Sequence, residues 1–142
     1  MKNSRNIDDL LPWVAVMCRK FIEACAAEGI DVIITSTERD FECQNELFAQ
    51  GRTKPGRIVT NARAGYSWHN WKCAFDFVPV VNGKAQWQDT ATFTRCGEIA
   101  ESVGLEWAGR WRRFKELAHC QYTSGMTLAQ LQAGAILAPP KT

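Results

Sequence analysis

The sequence predicts an α+β fold, a small antiparallel sheet with helices packed around it in a single domain. Three observations predict it. Segments with a helical apolar stripe mix irregularly with short β-branched or aromatic runs, so there is no regular strand–helix–strand rhythm. The longest strand-like run ends in Asn82-Gly83, a pair that favours a two-residue hairpin and therefore antiparallel pairing. With 142 residues, 46% of them hydrophobic and 23% charged, the chain can fill one core and would be cramped with two. The same balance excludes a disordered chain.

Each element follows from local chemistry. Residues 7 to about 28 carry Leu10, Val14, Met17, Cys18, Phe21, Ile22 and Cys25 at three- and four-residue spacings. That is one stripe of an amphipathic helix, closed by Gly29. Residues 31–36 (Asp31-Val32-Ile33-Ile34-Thr35-Ser36) read as a short buried strand. A second helix covers 41–50 and stops at Gly51. Residues 51–66 hold Gly51, Pro55-Gly56 and Gly65 together with Arg52, Lys54, Arg57 and Arg63, which predicts a long, ordered, basic surface loop. Residues 74–81 form a strand and 85–87 its return. A third helix spans 90–102, short strands lie at 105–107 and 120–122, and a small helix covers 127–133 before Gly134. The tail 137–142 is expected to fray.

Composition limits the function classes. Seventeen Lys+Arg against fifteen Asp+Glu leave a net charge of +2, which excludes a strongly basic nucleic-acid coat. The cluster Arg110-Trp111-Arg112-Arg113-Phe114-Lys115 reads as a solvated face, so no nucleic-acid partner is expected. No apolar run approaches the roughly 18 residues needed to insert in a membrane. Met1 to Asp9 lacks the apolar core of a signal peptide, so synthesis in a cytoplasm is expected. The six cysteines include no Cys-x-x-Cys and read as reduced, buried, small hydrophobes.

The chemistry gathers around the two histidines, His69 and His119. His69 and Asp76 are seven residues apart, about 23 Å if extended, whereas zinc bonds to nitrogen and oxygen are about 2.0–2.2 Å. Shared binding of one ion therefore requires a bend, placed at Asn70–Lys72. Asp76, flanked by Phe75 and Phe77, is expected to point inward, where an ionised carboxylate needs a cation or hydrogen bonds. His119 would complete a two-His, one-carboxylate set with a position open to water, as in catalytic zinc sites. Glu116, three residues before His119, is placed to act as a general base. Taken singly, His-x6-Asp and Glu-x-x-His are weak patterns, and each histidine also fits a plain core or surface role.

Ser67-x-His69-x6-Asp76 with Glu116-x-x-His119 resembles the zinc peptidases of the D-Ala-D-Ala carboxypeptidase-like superfamily. The stretches from Thr37 to Thr53 and from Pro55 to Ala62 resemble L-alanyl-D-glutamate endopeptidases of the phage endolysin type. The resemblance runs from about residue 31 to the 126–131 segment. It implies Zn2+ held by His69, Asp76 and His119, with Glu116 as the catalytic carboxylate. It further implies that Arg39 faces the substrate carbonyl and that Ser67 supports the first ligand. Glu116 stands where the endopeptidases often carry Asp and related carboxypeptidases carry Glu. Lys72 stands where a small residue, often Gly, is common. The implied reaction is hydrolysis of the L-Ala–D-Glu amide of the peptidoglycan stem peptide by a monomer without a separate wall-binding domain. The basic 51–66 loop would meet acidic substrate groups, and Trp68, Trp71, Trp107 and Trp111 would wall the cleft or fill the core. A phage lysin of this kind acts on the cell wall after a holin-type partner releases it from the host cytoplasm. The rival readings are a D,D-carboxypeptidase or dipeptidase on the same scaffold and a non-catalytic, metal-stabilised binding module.

Overall fold

Pro12 decides where the first long helix begins. Its ring removes an N–H and drives the preceding residue out of the helical region; Leu11 sits at φ −53°, ψ 144°. The helix expected over 7–28 is therefore two pieces, a 3-10 turn at Ile7–Asp9 and helix α1 at Pro12–Ala27. Gly29, at φ +78°, ends α1, and the Ile30 N–H returns to the Cys25 carbonyl at 2.9 Å. The structure is a computed structural model that describes residues 1–141.

The remaining elements are β1 (Asp31–Ser36), α2 (Phe41–Ala49), a 3-10 turn (Trp68–Trp71), β2 (Ala74–Val81), β3 (Lys84–Ala85), α3 (Thr90–Ser102), β4 (Glu106–Trp107), a 3-10 turn (Ala108–Arg110), β5 (His119–Gln121) and α4 (Leu128–Gln132). The sheet order is β1-β2-β5-β4, with β3 also paired to β2, and every pairing is antiparallel. Asn82 (φ +52°) and Gly83 (φ +76°) make the hairpin turn, as their left-handed angles allow. β1 is an edge strand rather than a buried one: Ile33 is 47% exposed. Its β-branched run reflects pairing along β2 more than burial on both faces.

The core lies on the face of the sheet that meets α1 and α3. Phe21 of α1 packs against Phe75 and Phe77 with ring centroids 5.7 and 5.0 Å apart, and Phe77 meets Phe93 of α3 at 5.5 Å. Strand residues alternate faces, so Phe75 and Phe77 take the core and Asp76 takes the opposite face. The inward position expected for Asp76 is therefore one facing a cleft on that side of the sheet, with 25% of its side chain exposed.

Trp107 is buried between two glycines, Gly97 of α3 and Gly109. Its indole Nε1 donates to the Leu117 carbonyl at 2.8 Å, which ties the 108–118 segment to the sheet. The tail is anchored at its start. Leu137 is buried, and the Ala138 carbonyl accepts from the Tyr122 hydroxyl; Pro139, Pro140 and Lys141 are exposed, and Thr142, part of the tail expected to fray, lies outside the described residues.

Candidate active site

Two of the expected ligands meet because β2 and β5 pair in one register. Asp76 lies directly opposite His119 across the ladder, so their side chains rise from the same face. The third arrives through the 3-10 turn before β2. Ser67 caps that turn: its Oγ accepts from the His69 N–H at 3.3 Å, and Asn70 Oδ1 accepts from the Ser67 N–H at 3.3 Å. Lys72 then bends the chain at φ +61°, ψ 27°. This is the left-handed conformation that glycine adopts without strain, which explains how the expected bend is made with a lysine in place.

One nitrogen of each imidazole and one Asp76 oxygen lie within 4.8 Å of one another. Asp76 Oδ1 is 3.2 Å from His69 Nε2 and 3.2 Å from His119 Nδ1. The far nitrogens are also engaged. His69 Nδ1 donates to the Thr37 carbonyl at 2.8 Å, and His119 Nε2 donates to Gln121 Oε1 at 2.8 Å. This donor set, with both rings oriented from behind, fits a zinc ion held by His69, Asp76 and His119.

The electrostatics agree with a cation position. Burial alone would raise the Asp76 carboxyl. The His69 charge and the hydrogen bonds from His119 and His69 outweigh it and hold Asp76 well below the usual carboxylate range. Burial lowers His119, but the hydrogen bond and charge of Asp76, with smaller help from Gln121 and Glu116, leave its pKa raised above 6.5. Cys73 and Cys120, near the ligands in sequence, are buried packing residues. Burial pushes the Cys73 thiol up to about 12, which makes it a poor thiolate donor.

The three side chains stand in a cleft of about 880 Å³. Glu116 lies at its rim, 60% exposed, with Oε2 3.8 Å from His119 Nδ1. Arg39 lines the same cleft. Its backbone N–H donates to the His69 carbonyl, and its Nη1 donates to Gln44 Oε1 at 3.0 Å. Trp68 and Trp111 line the cleft too, whereas Trp107 belongs to the core and Trp71 packs edge-on against Phe41. Ile58 and Val59, beside exposed Phe114, add apolar lining. The 51–66 loop lies at the surface, as expected, but part of its charge is spent within the protein. Arg52 donates to the Phe48 and Thr60 carbonyls, and Lys54 pairs with Glu46. Arg110 of the basic cluster pairs with Glu101 at 3.0 Å.

Sequence reasoning passed over three side chains of this site. Gln44, fully buried, joins Arg39 and the Ala62 carbonyl. Gln121 orients His119, and Asn70 holds the Arg39 carbonyl at 2.9 Å. For Gln121 a signal existed: two residues beyond His119 on a strand, it shares His119's face.

Residues 60–122, which include His69, Asp76, His119 and Glu116, match the family described as D-alanyl-D-alanine carboxypeptidase. Over 128 residues the chain is 40% identical to the peptidoglycan L-alanyl-D-glutamate endopeptidase CwlK of Bacillus subtilis (strain 168), covering 80% of this chain and 73% of that relative. Among solved structures, the L-Ala D-Glu endopeptidase ChiX of Serratia marcescens aligns with a TM-score of 0.64 at 18% identity, over 83% of this chain and 84% of that one. The vancomycin-resistance D,D-pentapeptidase VanY in complex with Zn(II) aligns with a TM-score of 0.64 at 15% identity, over 86% and 78%. At these identities the two structures establish a shared fold. The identity to CwlK over most of both chains goes further: the chain belongs to the D-alanyl-D-alanine carboxypeptidase-like peptidase family that includes this endopeptidase.

Proposed function

We propose that the chain is a zinc-dependent peptidoglycan hydrolase that cuts the amide between L-Ala and D-Glu of the stem peptide. The observation that carries this is the convergence of His69, Asp76 and His119 in a cleft that also presents Glu116 and Arg39. The three ligands would hold zinc, which when bound acidifies water and polarises a carbonyl. The other roles fall to the chain's own side chains. Glu116, exposed at the rim, takes the proton of the attacking water and hands it to the departing amine nitrogen. The Arg39 guanidinium, fixed through Gln44, stabilises negative charge that develops on the carbonyl oxygen. Ser67 keeps the His69 backbone in its turn. The cleft volume suits a short extended peptide.

The named activity of CwlK supports this choice of bond. A D,D-carboxypeptidase or dipeptidase is the second reading, favoured by the description of the matching family and by Glu rather than Asp at position 116. Mass spectrometry of digested muropeptides separates them. New N-terminal D-Glu supports the endopeptidase, and released D-Ala supports the alternative. Glu116→Ala is expected to keep zinc and lose hydrolysis of purified peptidoglycan; hydrolysis near the unsubstituted level would overturn the assignment of Glu116.

The biological setting we propose is phage lysis, supported by the resemblance of residues 37–62 to endolysins. Expression in a bacterial cytoplasm should lyse cells only when a holin-type partner is co-expressed. Lysis that is the same with and without that partner counts against this setting.

A further inference from the structure

A histidine that offers Nδ1 to a metal must keep its proton on Nε2, and the group facing Nε2 decides whether it does. His69 has the mirror problem and a simple solution. Its Nδ1 faces the Thr37 carbonyl, which can only accept, so Nε2 is left bare. His119 faces a side-chain amide instead, that of Gln121. An amide has an accepting end and a donating end of nearly the same shape. Turned about, Gln121 would donate to His119 Nε2 and leave the ring proton on Nδ1, aimed at the metal position. Gln121 alone does not choose between these states.

The choice is made one side chain further on. Gln121 Nε2 donates to Glu106 Oε2 at 3.1 Å, and the Thr123 hydroxyl donates to Oε1 of the same carboxylate at 2.5 Å. An ionised carboxylate only accepts. A turned amide would set its oxygen against Glu106 Oε2, two acceptors with no proton between them. The fold builds this contact in: β4 and β5 place Glu106 directly opposite Gln121. Gln121 and Thr123 are buried, 3% and 5% exposed, while Glu106 is exposed, so water reaches the carboxylate but offers the Gln121 amide little substitute for the lost bond.

We propose that Glu106 is a positioning residue that, through Gln121, locks His119 in the tautomer presenting Nδ1 to the metal. The proposal rests on the zinc reading above, and its test separates the two. Glu106→Gln keeps the shape but replaces an acceptor-only group with one that accepts or donates. Zinc affinity, measured by competition with a chromophoric chelator, is expected to fall about 10- to 100-fold. The melting temperature of the chelator-treated protein should move by less than about 3 °C. The double variant Glu106→Gln/Gln121→Glu exchanges the two groups: the amide now donates to a carboxylate that accepts from His119. It is expected to recover the zinc affinity that Glu106→Gln alone loses. Nitrogen NMR of the neutral His119 ring in metal-free Asp76→Ala protein, which lacks the Asp76 Oδ1 that accepts 3.2 Å from His119 Nδ1, gives a readout independent of zinc, with the proton on Nε2 when Glu106 is present and shared with Nδ1 when Glu106→Gln is added. A Glu106→Gln protein with unchanged zinc affinity and an unmixed Nε2–H ring overturns the proposal, as does a double variant no better than Glu106→Gln. If the unsubstituted chain binds no zinc, the zinc reading fails, and the ring tautomer still decides the role of Glu106.

Discussion

Replacing Gly97 by alanine sets two effects of opposite sign against each other. Gly97 lies inside α3, where helix propensity alone favours alanine by about 1 kcal/mol. A Cβ at that position would stand 2.1, 2.3 and 2.4 Å from Cδ2, Cε2 and Cε3 of Trp107, whereas carbon atoms make favourable contact near 3.5–4.0 Å. The indole is rigid and has little room to yield. A Cβ on Gly109 would meet the same ring at 2.1 Å, and moving the ring strains the Nε1 bond to Leu117. Overpacking of this kind costs about 1–3 kcal/mol, and a buried hydrogen bond left unmade costs about 1–3 kcal/mol more. After the propensity gain, the expected loss is about 1–5 kcal/mol, or roughly 4–20 °C in melting temperature for a chain of this length. Calorimetry and urea unfolding of the metal-free variant measure it. Because Trp107 holds the segment bearing Glu116, hydrolysis should fall further than zinc affinity in the folded variant. A melting temperature above that of the unsubstituted protein would refute the wedge between α3 and the Glu116 segment.

Lys72→Gly relieves a left-handed residue and gives up a partly exposed 3.8 Å ion pair with Glu38; stability should rise by about 0.5–1 kcal/mol, and a lower urea midpoint would show that the ion pair outweighs the strain. Phe114→Gly acts on a second left-handed position, φ +56°, whose ring is 72% exposed in the cleft wall. It should leave the melting temperature unchanged or raised while increasing KM for muropeptides, and an unchanged KM would remove Phe114 from substrate binding. The site also sets a pH dependence. In chelator-treated protein the raised His119 pKa contributes stability that is complete below its unfolded value of 6.5 and is lost as pH rises through the folded value; the lowered Asp76 pKa contributes stability present above 3.8 and lost as pH falls. Zinc held by His119 would have to displace the ring proton, so the gain in melting temperature on adding zinc should widen from pH 6 to pH 8; a gain that narrows over that range contradicts the assignment.

Much of the fold was legible because it is written in local chemistry. The 31–36, 74–81 and 90–102 elements appear with the expected bounds, each marked by β-branched runs, the Asn82-Gly83 turn or a helical stripe. The first helix was misread because its apolar stripe runs through Pro12, whose missing N–H overrides the periodicity. Asp76 is largely shielded, as its setting between Phe75 and Phe77 implies, while alternation turns it to the cleft side of the sheet, where His69 and His119 compensate its charge. The site itself is less local. His119 reaches Asp76 across 43 residues through a strand register, which no spacing encodes; residue chemistry offers the pair as ligands and the resemblance makes the set specific. The Thr37 carbonyl is backbone and carries no residue signature. Glu106 looked like any exposed acid until β4 was paired with β5.

The account stands on a zinc ion shared by His69, Asp76 and His119. Metal analysis after dialysis against limiting zinc tests this directly, run on the unsubstituted protein, Glu116→Ala, and alanine variants of each ligand, with folding checked by circular dichroism. The account predicts a stoichiometric, tightly held zinc in the first two and its loss in each folded ligand variant. Stoichiometric zinc retained by a His69, Asp76 or His119 variant would contradict it.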